Sequence, residues 1–318
     1  MRRLLFSILL ALASAGALAQ SYPARPVRIV VAYPPGGSAD ILARILGAKL
    51  SAMWSQPVVI DNKPGASANI GAAFVAKAPP DGYTLLLGTP ALAVNAAVFS
   101  SLTYDAQREL GPVGIVSTFP NVLVLNPAVP ATSVQELVRY AKANPGKLNF
   151  ASAGTTSAIR FAFENFKQVT GIDAVHVPYK GSAPATQALL TGESQTMMMT
   201  LVDALPYINS GKLRALAMTT PSRVAGFSQV PTLAETVAPG FEYITWHGLF
   251  ASAGTPPAVI ERLNHDMNAV LAQADVKERL TGLGMTVSAG TPGELEALLR
   301  DEIGKWKTVA RIADIKSE

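Results

Sequence analysis

Cysteine is absent from all 318 residues, which excludes disulfides, thiolate metal sites and a cysteine nucleophile. Stability must then come from core burial alone. A chain of about 300 residues can supply it, since it buries roughly three quarters of its unfolded surface. Histidine is nearly as scarce, with only His176, His247 and His265 present. No H-E-x-x-H and no G-x-S-x-G occurs, and no carboxylate pair stands at an informative spacing, so nothing demands an enzyme. His265 falls in a polar helical stretch and reads as solvated. His176 falls in a strand-like run and reads as a satisfied core or loop histidine. Neither G-x-x-x-x-G-K-[ST] nor G-x-G-x-x-G is found, which removes both nucleotide-phosphate signatures. Long apolar runs are missing after residue 20: each is broken by Gly, Pro or charge within about a dozen residues, short of the roughly 20 needed to cross a bilayer. A basic stripe is missing too. Despite a pI of 9.2 the cations are scattered without aromatic interleaving, so no nucleic-acid partner is expected.

What is present begins with an export signal. Arg2 and Arg3 precede the apolar run "LLFSILLALASAG", and Ala17-Leu18-Ala19 offers the small-x-small pattern of signal peptidase cleavage. Residues 1–19 are expected to be removed after Ala19, leaving a periplasmic protein. Two of the 26 basic residues leave with that segment, so the formal charge falls from +4 to +2.

Beyond Gln20, apolar runs alternate with helical patterns. "VRIVVAY" precedes "ADILARILGAKLSAM", where Ile41, Leu42, Ile45, Leu46, Leu50 and Met53 recur at helical spacing. "YTLLLG" precedes "ALAVNAAVF", "VLVLN" precedes "SVQELVRYAKANPG", and "KLNFAS" precedes "SAIRFAFENFKQVTG". Ser133 with Glu136, and Thr291 with Pro292 and Glu294, are spaced as capping boxes. This alternation predicts an α/β fold with parallel sheets covered on both faces, and the length suggests two domains. No linker-like composition marks a boundary, and the repeated "ASAGT" at 151 and 251 carries no internal repeat.

Four strand-to-helix loops are unusually small or hydroxylated: Pro34 to Ala39, Gly88-Thr89-Pro90, Ser152 to Ser157, and Lys180 to Pro184. In open α/β folds ligands sit beyond the carboxyl ends of strands, and a helix N-terminus there presents unpaired N–H groups and the positive dipole end to an anion. "PPGGSAD" combines glycines that admit a ligand to the backbone with prolines that stiffen the loop. Its plainer reading is a turn in which Asp40 merely favours the helix dipole.

The stretches "YPARPVRIVVAYPPGGSADILAR", "QPVVIDNKPGASANIGAAFVAKAPPDGYTLLLGT", "AKANPGKLNFASAG", "HVPYKGSAPA", "GKLRALAMT" and "GLFASAGTPPAVIERLN" run in order from Tyr22 to Asn264. Together they resemble the periplasmic solute receptors of tripartite tricarboxylate transporters, the Bug-type binding proteins. The resemblance implies a two-lobed, flytrap-like periplasmic-binding-protein fold, each lobe a mostly parallel sheet flanked by helices. Residues 20–119 and 241–318 would form lobe 1 and residues 120–240 lobe 2, with a two-strand hinge near 119–121 and 240–246. It implies a non-enzymatic monomer without metal or cofactor, which captures a small organic carboxylate and delivers it to integral-membrane transporter subunits. Carried over residue by residue, Tyr33, Pro35, Gly36, Gly37, Ser38, Ala39 and Thr89 would contact the ligand from lobe 1. Ser152, Ala153, Gly154, Thr155, Thr156 and Ser157 would face them from lobe 2.

The sequence departs from the family pattern in lobe 2. Thr156 replaces a glycine, Arg160 replaces a histidine, and Met199 and Thr200 stand where many members carry Asp-Asn, leaving Asp203 as the nearest carboxylate. A gained cation and a lost anion point to a dicarboxylate, aliphatic or aromatic, with Arg160 on its distal carboxylate and Met197–Met199 on its carbon skeleton. The plainer readings are a solvated Arg160 and core methionines. Competing functions are a ligand sensor acting on a membrane signalling partner and, third, an exported hydrolase using His176 or His247.

Overall fold

The computed structural model describes residues 22–315; the expected signal peptide at 1–19 lies outside the described residues. The chain alternates strands and helices as the sequence pattern predicts. In order these are β1 (Val27–Val31), α1 (Ser38–Trp54), β2 (Val58–Asn62), a 3-10 turn (Ala66–Ala68), α2 (Asn69–Ala76), β3 (Thr84–Gly88) and α3 (Ala91–Val98). The long β4 (Leu110–Leu125) leads to α4 (Val134–Ala143), β5 (Asn149–Ser152), α5 (Ala158–Thr170), β6 (Val175–Pro178) and α6 (Ser182–Thr191). Next come β7 (Thr196–Thr200), α7 (Leu201–Asn209), β8 (Arg214–Met218), α8 (Leu233–Thr236) and β9 (Ile244–Ser252). The chain closes with α9 (Pro257–Leu271), α10 (Ala274–Gly282), β10 (Thr286–Val287) and α11 (Pro292–Ile312).

Two sheets share β4. On one side the strand order is β2-β1-β3-β9-β4, with β10 along the far edge of β4; on the other, β7, β5 and β6 follow from β4, and β8 flanks it. The β1, β2 and β3 pairings and the β5, β6 and β7 pairings are parallel. β9 runs antiparallel to β3 and β4, and β4 antiparallel to β7 and β8. The sheets are thus parallel where βα units build them and antiparallel along β4 and β9. β4 exchanges partners midway: Leu110–Pro120 pairs with β9, and Asn121–Leu125 with β7.

Burial on both faces explains the continuous apolar strands. In β1, Ile29 and Val31 pack with Leu42, Leu46 and Leu50 of α1, while Val30 faces the opposite cluster with Ala72 and Val75 of α2. In β7, Met197 and Met199 face one way with Val122 and Val124, and Met198 the other with Leu123 and Leu125. α11 joins the halves from outside the sheets. Trp306 meets the Phe161 ring of α5 edge-on at 6.2 Å, and Gln168 Nε2 donates to the Val309 carbonyl at 3.0 Å.

The Thr291–Glu294 capping box is complete. Ser133 accepts from the Glu136 N–H, but the Glu136 carboxylate turns to the N–H and hydroxyl of Thr132 rather than back to Ser133.

Candidate functional site

After β1 the chain turns through Tyr33–Gly37 into α1. No side chain caps this helix: Gly37 holds the N-cap position in extended geometry, and the first intrahelical bond runs from Ile41 N–H to the Gly37 carbonyl. The amides ahead of Ile41 thus open away from the helix, where its dipole adds positive potential. Pro35, Gly36, Gly37 and Ser38 are exposed, while Ala39 is buried and roots the turn. Gly36 sits at φ +93°, and its N–H donates to Asp40 Oδ2 at 3.0 Å.

Asp40 does more than favour the dipole. Its buried carboxylate accepts from Arg44 Nε at 2.9 Å, Arg44 Nη2 at 3.0 Å and Asn62 Nδ2 at 2.9 Å. Those hydrogen bonds, led by Arg44, hold its pKa down at about 2 against the opposing effect of burial. Asn62, the last residue of β2, also donates to the Tyr33 carbonyl at 3.1 Å. The turn is therefore braced from behind by its neighbouring strand. On its other side Tyr33 Oη and Thr89 Oγ1 lie 2.8 Å apart, and Thr89 Oγ1 accepts from the Ala91 N–H as α3 begins. Burial pushes the Tyr33 hydroxyl pKa up, so it stays protonated as a donor.

The second loop follows β5. Ser152 Oγ and Ser157 Oγ both donate to the Gly154 carbonyl at 2.9 Å, and Gly154 takes φ +145°. Ser157 is the N-cap of α5, but its side chain does not cap it. α6 likewise starts from Gly181 without a side-chain cap. The two loop systems meet: Thr156 Oγ1 lies 3.1 Å from Ser67 Oγ in the turn after β2. Tyr33, the Pro35–Ala39 turn and Thr89 are thus held together by Asp40, Asn62 and the Tyr33–Thr89 pair, and the Ser152–Ser157 loop touches the turn at Ser67.

Arg160 points inward rather than into solvent. Its Nη1 donates to the Thr155 carbonyl at 2.6 Å, its Nε lies 4.0 Å from Glu164 Oε1 without a hydrogen bond, and its side chain is 16% exposed. Burial lowers its pKa, opposed by Glu164. Met197 and Met199 form part of a groove of about 640 Å3 with Ser182, Thr186 and Asp203, and Arg160 is not among its walls. Asp203 accepts from Thr200 Oγ1 at 2.6 Å.

None of the histidines forms a catalytic triad with a carboxylate. His176 Nε2 lies 2.6 Å from Ser152 Oγ, and burial, aided by Arg160 and Lys167, lowers its pKa to about 3. So weak a base is poorly matched to activating a hydroxyl at neutral pH. His247 is fully enclosed beside Ser117, its pKa lowered to about 4 by burial, and His265 is exposed beside Asp266.

Three contributors escaped the sequence reading. The Asp40–Arg44 pair carries a signal, since its i,i+4 spacing at a helix start marks a brace as well as a dipole partner. Asn62 carries none, and neither does Ser67. It follows Gly65 at φ +123° and lies between Ala66 at +46° and Ala68 at +76°, itself at +54°. Three successive non-glycine residues in this region cost of order 1 kcal/mol each or more, and such strain collects at functional sites. Asn95 Nδ2 pins the turn through the Ser67 carbonyl at 2.7 Å and Asn69 Oδ1 at 2.9 Å.

Comparison with known proteins gives this geometry a context. The profile of the tripartite tricarboxylate transporter family receptor matches residues 42–315. Protein BugT of Bordetella pertussis is 38% identical over 317 residues, covering 98% of this chain and 97% of BugT. Among solved structures, R. palustris Rpa4515 with adipate superposes with TM-score 0.82 at 36% identity, covering 93% of this chain and 99% of that one. MatC of Rhodopseudomonas palustris with bound malate gives 0.78 at 33%, covering 91% and 99%. The periplasmic binding protein BugD gives 0.79 at 31%, covering 93% and 100%. This chain belongs to the tripartite tricarboxylate transporter receptor family, two-lobed periplasmic solute-binding proteins.

Proposed function

We propose that this protein captures a dicarboxylate between its lobes in the periplasm and hands it, chemically unchanged, to the membrane subunits of a tripartite transporter. One carboxylate lies on the amides of Gly37–Ala39 at the start of α1, beside Pro35, Gly36 and the Tyr33–Thr89 hydroxyl pair. The other lies on the Ser152–Ser157 loop at the start of α5. Arg160 acts from behind that loop, holding the Thr155 carbonyl and adding positive potential, while Met199 lines the adjoining groove. Residues 20–119 and 241–318 form lobe 1 and residues 120–240 lobe 2. The partner exchange of β4 at Pro120/Asn121 supports that division. The chain works as a monomer after cleavage at Ala19, and it turns nothing over.

The observations that support this reading are the side-chain-uncapped starts of α1 and α5, together with the Ser67–Thr156 contact, which ties the loop ahead of α5 to the turn ahead of α2. Helix N-termini of this kind bind carboxylates. The dicarboxylate assignment is also supported by the adipate and malate held by the Rpa4515 and MatC structures.

Native mass spectrometry of protein purified without denaturation, followed by thermal shift with adipate, malate and matched monocarboxylates, tests it. A dicarboxylate should co-purify or raise the melting temperature by mass action, with monocarboxylates weaker. A flat response across the whole panel would defeat the reading.

A further inference from the structure

Outside the cleft, lobe 1 carries a second concave surface of about 760 Å3 along the outer side of α2. None of Pro35–Ala39, Thr89 or Ser152–Ser157 lines it. Arg28 and Thr84 of the sheet line it, and Val59 stands beside them just outside it. Val59, Arg28 and Thr84 are register partners on β2, β1 and β3, so their side chains share one face. β1 and β3 are otherwise mostly buried, yet Arg28 stands in solvent and its β2 partner Val59 is 50% exposed. Beside that row, Ile70 and Phe74 lie one turn apart on α2 and are 53% and 40% exposed. Large apolar side chains gathered in one concave patch mark a surface that is covered in use.

Charge selects the occupant. Arg25, Arg28, Lys63 and Lys77 surround the groove. Against them stand two carboxylates: Asp81 pairs with Arg25 at 2.7 Å, and Asp61 pairs with Arg28 at 3.1 Å and Lys63 at 3.4 Å. Two positive charges are left over. The cations are also held against the aromatic surface. Lys63 Nζ sits 4.4 Å from the Phe74 ring centre, and the Arg25 guanidinium 3.9 Å from that of Tyr83. A small anion would leave Ile70 and Phe74 wet, and a flat lipid surface does not fill a concave groove. An acidic polypeptide segment bearing an apolar anchor satisfies both the charge and the shape.

We propose that this groove is the docking site for an acidic segment of the receptor's membrane-embedded partner. The partner's identity rests on the receptor reading above; the charge and shape of the site do not. The test places a photoreactive benzoylphenylalanine at position 74 of the full chain, expressed in the bacterium that carries its gene. Illumination is followed by mapping of the adduct. The expected product is a single membrane protein joined through an Asp- or Glu-rich periplasmic segment. Its yield should fall at least fivefold in an Arg28→Glu/Lys77→Glu background. It should fall similarly for the unreversed protein when ionic strength rises from about 0.05 to 0.5 M, because screening shortens the reach of exposed charge. The salt arm decides should the doubly reversed chain fail to fold. Adducts only to lipid, adducts to a second copy of this chain, no adduct, or a yield indifferent to both salt and charge reversal would each overturn the proposal. Thermal shifts with adipate and malate should be the same with and without the charge reversals. Their absence in the parent protein would sink the dicarboxylate reading while leaving the crosslink to judge the groove.

Discussion

Gly36 and Gly37 stand side by side in the β1–α1 turn with different backbones. Gly36 is at φ +93°, Gly37 at φ −79° and ψ 170°, and a Cβ at either would meet nothing within 4 Å. Space is therefore equal, and only conformation separates them. Gly36→Ala should cost about 1–2 kcal/mol or drive the turn to another geometry. Either outcome displaces the Asp40 brace and should weaken carboxylate binding tenfold or more. Gly37→Ala, at a φ any residue adopts, should cost at most about 1 kcal/mol of stability as an N-cap change and should weaken binding only through the crowding its Cβ brings to the carboxylate, so calorimetry on the pair separates backbone geometry from crowding. Arg160 offers a second test at this scale. Arg160→Ala removes positive charge behind the second loop and frees the Thr155 carbonyl. Dicarboxylate affinity should fall by about tenfold, and monocarboxylate affinity by clearly less. Titration calorimetry showing equal losses for both classes would remove the distal-carboxylate role.

Among elements, α11 carries a titratable group where the sequence gives no warning. Glu302 accepts from Trp246 Nε1 at 2.8 Å, and desolvation raises its pKa from 4.5 to about 7 against the opposing hydrogen bond and Lys305. The folded state thus holds a proton that the unfolded state releases between those values. This group's contribution to stability is complete below pH 4.5 and is lost as pH rises to 7. Glu302→Gln keeps an acceptor for Trp246 and removes the charge. At pH 8 it should stabilise the protein by as much as about 3 kcal/mol, and at pH 4.5 it should change little, as read from urea midpoints. The other elements differ in how far the sequence shows them. The β1–α1 and β5–α5 units were legible because apolar run, small-residue loop and helical spacing agree. The first half of β4 was not, because Gly111, Pro112, Gly114 and Pro120 break the apolar pattern. The strand absorbs them through register shifts at Pro112/Gly114 and Ile115/Ser117 against β9. The Thr232–Glu235 capping box was overlooked because its helix is a single turn. The uncapped helix starts after β1 and β5 were legible as small, stiff loops. The braces Asn62 and Asn95 were not, since their partners lie 22 to 29 residues away and only the fold brings them together.

At the scale of the whole molecule, the two sheets are joined through β4 and by the α11–α5 packing, and Ser67 meets Thr156 at 3.1 Å; in the proposed reading that contact crosses the cleft between the lobes. Closure around a ligand is a hinge motion whose equilibrium the ligand biases by binding the closed form better. A contact made only between closed lobes contributes to that bias without touching the ligand. The left-handed turn at 65–68 stores backbone strain, and Asn95 holds it in place. The position of Ser67 is thus set by lobe 1 alone and is ready before closure. Removing one partner of an exposed neutral hydrogen bond costs about 0.5–1.5 kcal/mol, which is roughly two- to tenfold in affinity. Ser67→Ala and Thr156→Val should each weaken ligand binding by that factor, mainly through faster release. The double variant should lose no more than either single one, because both remove the same bond. Stopped-flow release rates for the four proteins close this cycle. Additive losses would mean that the two hydroxyls act separately on the ligand, and the cross-lobe latch would have to be given up.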